Sequence, residues 1–431
     1  MPFVSIQDAI KKGKGEVEIR GWVHRERGSN VIKFVVLRDS TNLMQCVIEK
    51  SVVGAKKYSE IDKVQIEASM ELRGELKAEP RAPNGFELHV KDFKIVGTSD
   101  KFPVKAGQER EFLDDNRHLW LRSRRMTAIL KIRSTIFGAI DEYFRSEGFY
   151  EYQSPIFQGM QAEGGSTLFE CNYFGKPLYL AQTWQLYAEP AIFALEKIYT
   201  IAPSFRAEKS KTSRHLTEYW HAEMEVAWAS FKDIQDYGEG VIKHIVKKVL
   251  EKNREELKIL ERDTKILENV ATKPFVRMTY DDALKLLAEK CKIKIEWGKD
   301  LRTVEEDELS QLHDNFVIVT HYPKIVKAFY MKEEPSNPET VRGCDFIAPE
   351  SYGEIIGGSE RESDIEKIKE RLREQGEDPA KYEFYLDTRR YGSVPHGGFG
   401  MGVERIVSWV CKLDTIKDAI PFPRTMLRYT P

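Results

Sequence analysis

RAEKSKTSRHLTEYW, residues 206–220, decides how the rest of this chain is read. Arg206, Glu208, Arg214, His215, Glu218 and Tyr219 crowd between two strand-like runs, YTIAPSF (199–205) and EMEVAW (223–228). On its own the stretch reads most simply as a charged hairpin turn on a surface. The same strand, loop and returning strand also let two guanidinium forks meet two different phosphates. Tyr219 would then offer a ring face to a base, and Glu208 would accept from an adenine amino group or orient the loop.

Three further stretches weigh on that choice. In GGFGMGVERIVSWV (397–410), Gly397, Gly398, Gly400 and Gly402 precede Glu404 and Arg405 at the entry of an apolar helix. Glycines allow backbone to approach a ligand closely, and an arginine beside them suits a phosphate. Neither a Walker loop nor a dinucleotide fingerprint is completed, and a tightly packed strand–helix junction is the plainer reading. In GEIIGGSER (353–361), Glu354, with Asp345 before it, supplies carboxylates of the kind Mg2+ takes together with phosphate oxygens. Gly357 and Gly358 leave room for a small ligand there, and Arg361 can bind a carboxylate or an amide. A β-bulge with a surface arginine fits equally well. YLAQTWQLYAEP (179–190) sets Gln182 and Gln185 in an otherwise apolar segment, as a polar pocket floor or a helix N-terminal turn would.

Composition bounds the alternatives. The chain has 431 residues, long enough for two or three domains. Its 67 Lys+Arg against 69 Asp+Glu leave a net charge of -2, so bulk charge makes no case for nucleic acid. Any such binding must come from shaped contacts. Cys46, Cys171, Cys291, Cys344 and Cys411 lie far apart in an odd count, which argues against a disulfide framework and for a reduced, cytoplasmic setting. Neither a signal-peptide stretch nor a run approaching about 18 apolar residues is present, and the expectation is a soluble protein without a membrane.

Residues 15–97 hold five alternating or β-branched runs, EVEIRGWVHR, VIKFVVLRD, LMQCVIE, QIEASMELRGEL and FELHVKDFKIV, separated by turn residues. Five strands in so short a span predict a small closed barrel, with the OB-fold the commonest solution; a generic β-sandwich or SH3-like module shares the pattern. Residues 1–98 are therefore expected to form one domain and the polar, aperiodic 99–123 a hinge. From Arg124 to 431 helical and strand patterns mix. MTAILKIRSTIFGAIDEYFRSEGF has helical spacing up to Gly148, and a charged helical segment around 231–262 reads as an insertion or flank.

Together and in this order these pieces resemble a class II aminoacyl-tRNA synthetase. The helix ending in GFYEYQSP, with Pro155, is similar to the first motif of that class, FRAEKSKTSRHLTEY to the second and GFGMGVER to the third. The resemblance covers nearly the whole chain, because the N-terminal segment resembles the anticodon-binding OB domain of the aspartyl, asparaginyl and lysyl subgroup. It implies an α+β fold, with a catalytic domain built on an antiparallel sheet flanked by helices and preceded by the barrel. AEGGSTLF, RYGSVPHGGFG and GEIIGGS resemble the asparaginyl-tRNA synthetases of archaeal and eukaryotic type most closely. Aspartyl enzymes carry a lysine three residues after the glutamine of Q-L-[YF]-K, where this chain has Gln185-Leu186-Tyr187-Ala188. With that ammonium gone, Arg361 is expected to stand alone opposite the substrate side chain, which favours an amide because an unpaired buried carboxylate is costly.

Roles follow from the resemblance. Glu163, Gln185, Ala188, Glu223 and Arg361 would hold the amino acid, and Arg206 both the α-phosphate and the substrate carboxylate. Arg214, His215 and Arg405 would take the γ-phosphate end, with Glu208, Leu216, Tyr219, Gly402 and Glu404 completing the ATP site. Arg206 and Arg405 would be the catalytic pair. Glu354, with Asp345, would hold Mg2+; the family often has serine three residues after this glutamate, where Gly357 stands here. Phe34 and Gln45 match the positions that stack on and hydrogen-bond the middle anticodon base. The implied protein is a cytoplasmic homodimer using ATP, L-asparagine and tRNA(Asn). An aspartyl-tRNA synthetase of relaxed specificity, a non-catalytic RNA-binding paralogue and an ATP-dependent asparagine synthetase are the alternatives. Retention of Arg206, Glu354 and Arg405 speaks against the second, and the barrel against the third.

Overall fold

The computed structural model describes residues 2–162, 168–208 and 214–431. The chain divides into two compact units, Met1–Leu119 and Trp120–Pro431.

In the first unit the alternating runs become β1 (Gly15–Gly28), β2 (Ile32–Arg38), β3 (Leu43–Glu49), β4 (Ser69–Ala78) and β5 (Phe86–Gly97). They close into a barrel in the order β1-β2-β3-β5-β4, with a parallel β3–β5 pairing and antiparallel contacts elsewhere. Period-two alternation sends one face inward: Val17, Ile19, Val35, Leu37, Met44, Cys46, Leu72 and Leu88 form an apolar interior. A short helix, α1 (Ile6–Lys12), precedes the barrel, capped by Ser5 and ended by Gly13 at φ 75°. The stretch expected as a hinge contains helical turns at Arg110–Asp115 and Arg117–Trp120. One carries an Arg110–Asp114 ion pair at i,i+4 spacing, support that an aperiodic apolar pattern does not reveal.

The second unit is built on an eight-stranded sheet of β6 (Tyr150–Glu151), β7 (Lys197–Phe205), β8 (Glu218–Ala227), β9 (Val276–Thr279), β10 (Val317–Thr320), β11 (Gly343–Ala348), β12 (Gly353–Glu360) and β13 (His396–Gly402). The order is β9-β10-β11-β12-β13-β8-β7-β6. The six central strands are antiparallel, and one parallel pair is added at each edge. Helix α2 (Arg124–Ser146) is capped by the Ser123 hydroxyl and buries Ile129, Ile132, Ile136, Ile140 and Phe144 along one stripe. Helix α3 (Phe231–Lys252) opens with a Ser230–Asp233 capping box and buries Ile234, Val241, Ile242, Ile245 and Val249. It packs on α2 and on β12 and β13, so the segment read as a flank belongs to the core. Its charged residues occupy the outer face and masked the apolar stripe. Three shorter helices, α4 (Thr303–Gln311), α5 (Glu383–Arg390) and α6 (Val403–Cys411), bear on the site.

Candidate active site

The floor of the site is the β12-β13-β8 part of the sheet, where glutamates face glycines. Register pairs Glu223 with Gly400 and Glu225 with Gly398. A Cβ on Gly398 would lie 2.1 Å from the Met224 carbonyl oxygen and 2.5 Å from the Glu225 carboxyl carbon, so only glycine fits. The glycine run thus makes room first for carboxylates of the neighbouring strand. Buried carboxylates require partners, and these have them. Glu223 accepts from the Trp184 N–H at 2.9 Å and from the Thr183 hydroxyl.

Two adjoining cavities open above this floor. The larger, about 540 Å3, is walled by Gln185, Arg206, Glu223, Lys327, Glu354 and Arg361 among others. The smaller, about 90 Å3, contains in its wall all ten residues expected at the nucleotide, from Arg206, Glu208 and Arg214 on the hairpin side to Gly402, Glu404 and Arg405 at the start of α6. Arg206 and Glu354 line both. The two are positioned at the junction where a nucleotide and a second substrate would meet.

Arg206 follows β7, and its guanidinium sits 5.8 Å from the centre of the Tyr219 ring. Arg214 donates to both carboxylate oxygens of Asp307 on α4, at 2.9 and 3.0 Å, and to the Ser351 carbonyl at 2.7 Å. Burial lowers the pKa of His215, and the cations Arg405, Arg206 and Arg214 add to this against the pull of Glu208. Arg405 donates to the Glu354 carbonyl at 2.6 Å and stands 3.5 Å from its Oε2. Burial raises the Glu354 pKa, but Arg405, Lys327 and Arg206 outweigh it and keep the carboxyl below its usual value. Glu404, in the wall of the smaller cavity, also ties elements together. Its Oε2 accepts from the Trp220 N–H at 2.8 Å and its Oε1 meets Arg133 at 2.7 Å, which ties α6 to β8 and α2.

The amino-acid residues divide. Gln185, Glu223 and Arg361 line the larger cavity with Arg206. Ala188 is fully buried among Trp184, Ile192, Ile198 and Ala227 and does not line it, because the side chain of alanine ends in the apolar cluster. Glu163 lies outside the described residues. Arg361 does not stand alone as expected. It forms an ion pair with both oxygens of Glu225, through Nη2 and, at 3.3 Å, through Nε, and donates to the Ser359 hydroxyl at 2.7 Å. Burial pushes the Glu225 carboxyl up, to about 7, against the pull of Arg361.

Asp345 is half of a second pair. Its Oδ2 lies 2.6 Å from the Lys327 ammonium, itself 3.9 Å from the Tyr322 ring centre. A Cβ on Gly357 would meet Glu354 Oε1 at 2.8 Å and Asp345 Oδ1 at 3.7 Å, so both carboxylates border the space that the missing side chain leaves. Sequence reading missed Lys327, Glu225, Glu306 and Asp307. Only Glu225 left a signal, since Glu-Met-Glu-Val alternation puts Glu223 and Glu225 on one face. Glu306, on α4, accepts from the Glu354 N–H at 3.4 Å; burial, with Glu354 and Asp345 nearby, pushes its carboxyl up to about 8.

In the barrel, Val36 lies opposite Gln45 and is two residues from Phe34, so Phe34 and Gln45 share the outward face. Arg27 stands over the Phe34 ring at 5.1 Å, and Gln45 donates to Glu87 at 3.0 Å.

A five-stranded barrel, followed by a largely antiparallel sheet whose glycine-lined floor carries a two-cavity site walled by Arg206 and Arg405, defines a synthetase of the second class. Residues 109–426 match the class II tRNA synthetases (D, K and N), and residues 17–96 the OB-fold nucleic acid binding domain. An asparagine–tRNA ligase of Thermoplasma acidophilum is 47% identical over 416 residues, covering 96% of each chain. One of Thermococcus gammatolerans is 46% identical over 415 residues, again 96% of each. The crystal structure of asparaginyl-tRNA synthetase from Pyrococcus horikoshii complexed with asparaginyl-adenylate superposes with a TM-score of 0.96 at 43% identity, over 100% of both chains. This chain belongs to the class II tRNA synthetases of the D, K and N group, and within it to the family of the asparagine–tRNA ligases.

Proposed function

We propose that the chain activates L-asparagine with ATP to an adenylate and transfers it to the 3′-hydroxyl of tRNA(Asn). The observation that carries the amino-acid choice is the Arg361–Glu225 pair in and behind the cavity wall. An amide has one acceptor and a two-hydrogen donor, whereas an ionised carboxylate only accepts. A guanidinium whose charge is already matched by a carboxylate suits the amide and gives a second anion no uncompensated cation.

In this reading Arg206 bridges the two cavities and binds the α-phosphate together with the substrate carboxylate, stabilising charge as it shifts during in-line displacement. Gln185 and Glu223 receive the ammonium. Arg214, His215 and Arg405 hold the far phosphates, Arg214 by exchanging Asp307 for phosphate oxygen, and Tyr219 lies along the base. Glu354, with Asp345 behind it, fits Mg2+, which prefers few carboxylates plus phosphate oxygens; when bound, the ion neutralises triphosphate charge. Since Lys327 engages Asp345, Glu354 is the principal protein ligand. Phe34 and Gln45 read the anticodon from the outer face of the barrel.

The chain acts as a cytoplasmic homodimer. Tyr150 on the edge strand β6 is 60% exposed and Phe174, in the turn of a neighbouring small hairpin, 92%, apolar surface that a second copy would cover. Among the described residues no helix is long and apolar enough to cross a membrane. ATP–pyrophosphate exchange with asparagine and aspartate side by side tests the reading. Exchange with asparagine and marginal exchange with aspartate is expected, and a preference for aspartate would overturn it.

A further inference from the structure

Behind the amino-acid cavity lies a carboxylate that touches no part of the open space. Glu189 is fully buried and absent from the cavity wall. Its Oε1 accepts from Gln185 Nε2 at 2.8 Å and from the Tyr385 hydroxyl at 2.9 Å. Its Oε2 meets Arg389 Nη2 at 2.6 Å and His396 Nε2 at 3.1 Å. Arg361 Nε lies 3.8 Å from Oε1. Four donors occupy the carboxylate, so no capacity remains for a ligand.

Two of these neighbours, Gln185 and Arg361, do line the cavity. A carboxylate cannot donate, so the end of the Gln185 amide that faces Glu189 must be the NH2. The carbonyl end is then what Gln185 has left to offer a cationic group. Charge gives a second constraint. Glu189 and Glu225 are buried with Arg361, Arg389 and the His396 ring, whose Nδ1 and Nε2 both face acceptors, the Val394 carbonyl and Glu189 Oε2. Removing one anion leaves a surplus cation shared by Arg361 at the wall, and a ligand carboxylate would meet it.

We propose that Glu189 is a positioning residue for amino-acid selectivity, acting through Gln185, whose amide it orients, and through Arg361, whose charge it helps to balance. The proposal rests on reading this cavity as the asparagine site and identifies what keeps aspartate out of it.

The test is pyrophosphate exchange by the full chain with the parent, Glu189→Gln and the double variant Glu189→Gln/Arg389→Gln, titrating asparagine, aspartate and ATP separately, with thermal melting alongside. Glu189→Gln is expected to raise the asparagine KM by at least about ten-fold, the usual effect of disturbing a buried polar partner, while the ATP KM stays put. The asparagine-to-aspartate ratio of kcat/KM should fall in the same variant. The double variant restores the parental net charge, so exclusion of aspartate and the melting temperature should recover, while the asparagine KM stays high because an amide at 189 can turn either end to Gln185 and no longer fixes its orientation. A folded Glu189→Gln with parental asparagine KM and ratio would overturn the proposal alone. Should Glu189→Gln fail to fold, a double variant with parental asparagine KM would do the same. Failure of the parent to activate asparagine would overturn both this proposal and the function on which it rests.

Discussion

The closed barrel and the open catalytic sheet both bury one face of their strands, but with opposite materials. The barrel interior is mainly apolar, with Lys33 buried at its margin, and its two candidate recognition residues, Phe34 and Gln45, stand on the outer face, half-buried. Beneath the catalytic cavity, buried Glu189, Glu223, Glu225, Arg361, Arg389 and His396 take positions that aliphatic residues hold in the barrel. Apolar burial is non-directional and tolerant, whereas each buried charge depends on named partners. Function in the first unit should therefore be separable from stability, and in the second the two should be entangled.

The largest expected effect lies at the junction of the two cavities. Arg206→Ala should cost about 3–4 kcal/mol of transition-state stabilisation, by analogy with loss of one oxyanion donor, and abolish adenylate formation while the chain stays folded. Near-parental exchange would remove Arg206 from the site. Next comes the floor. Gly398→Ala forces a methyl against the Met224 carbonyl and the Glu225 carboxyl, and a loss on the order of 1–3 kcal/mol in stability is expected for such overpacking. Chemical denaturation checks it, and activity should fall with stability in this unit.

The barrel should behave otherwise. Phe34→Ala should weaken tRNA charging by roughly 1–3 kcal/mol, the worth of one stacked base, and leave both pyrophosphate exchange and the melting curve alone. Equal losses in all three assays would place Phe34 among the core residues and erase the contrast. The remaining effect concerns pH. Folding raises the Glu306 carboxyl from 4.5 to about 8, so the folded chain keeps a proton that the unfolded chain releases. Its contribution to stability is complete below pH 4.5 and is lost as pH climbs through 8. Glu306→Gln, which cannot ionise, should gain on the parent steadily between those limits, and melting at pH 5, 7 and 9 would reveal a flat difference if Glu306 were solvated.

The barrel was legible because strict alternation leaves one reading of inside and outside. The wall of the smaller cavity was legible because nine of the ten residues expected there cluster in two short stretches, 206–220 and 400–405, Glu354 being the exception, and sequence neighbours on a hairpin or at a helix entry stay neighbours in space. The amino-acid pocket was not. Glu189, Arg389 and His396 come from three separate elements, and a lone glutamate in QLYAEP carries no mark of the arginine two hundred residues away. Ala188 misled for a related reason: its position in a motif said nothing of where its short side chain ends. Helix α3 was misjudged because the Lys, Asp and Glu of its outer face interrupt the apolar residues beneath.

The glutamate–glycine register between β8 and β13 has a consequence for how such a chain can drift. Because the space over Gly398 is filled by Glu225 and Gly400 meets the ring of His221, neither strand can change alone. At Gly398 the Met224 carbonyl oxygen bars any side chain whatever stands at 225, whereas at Gly400 the obstacle is the His221 ring, so a larger residue there is admissible only where residue 221 shrinks in the same lineage. Positions 221 and 400 should accordingly vary as a pair among descendants of a common ancestor while 398 stays glycine, each paired substitution costly first and neutral second, which makes this corner of the sheet a historical ratchet.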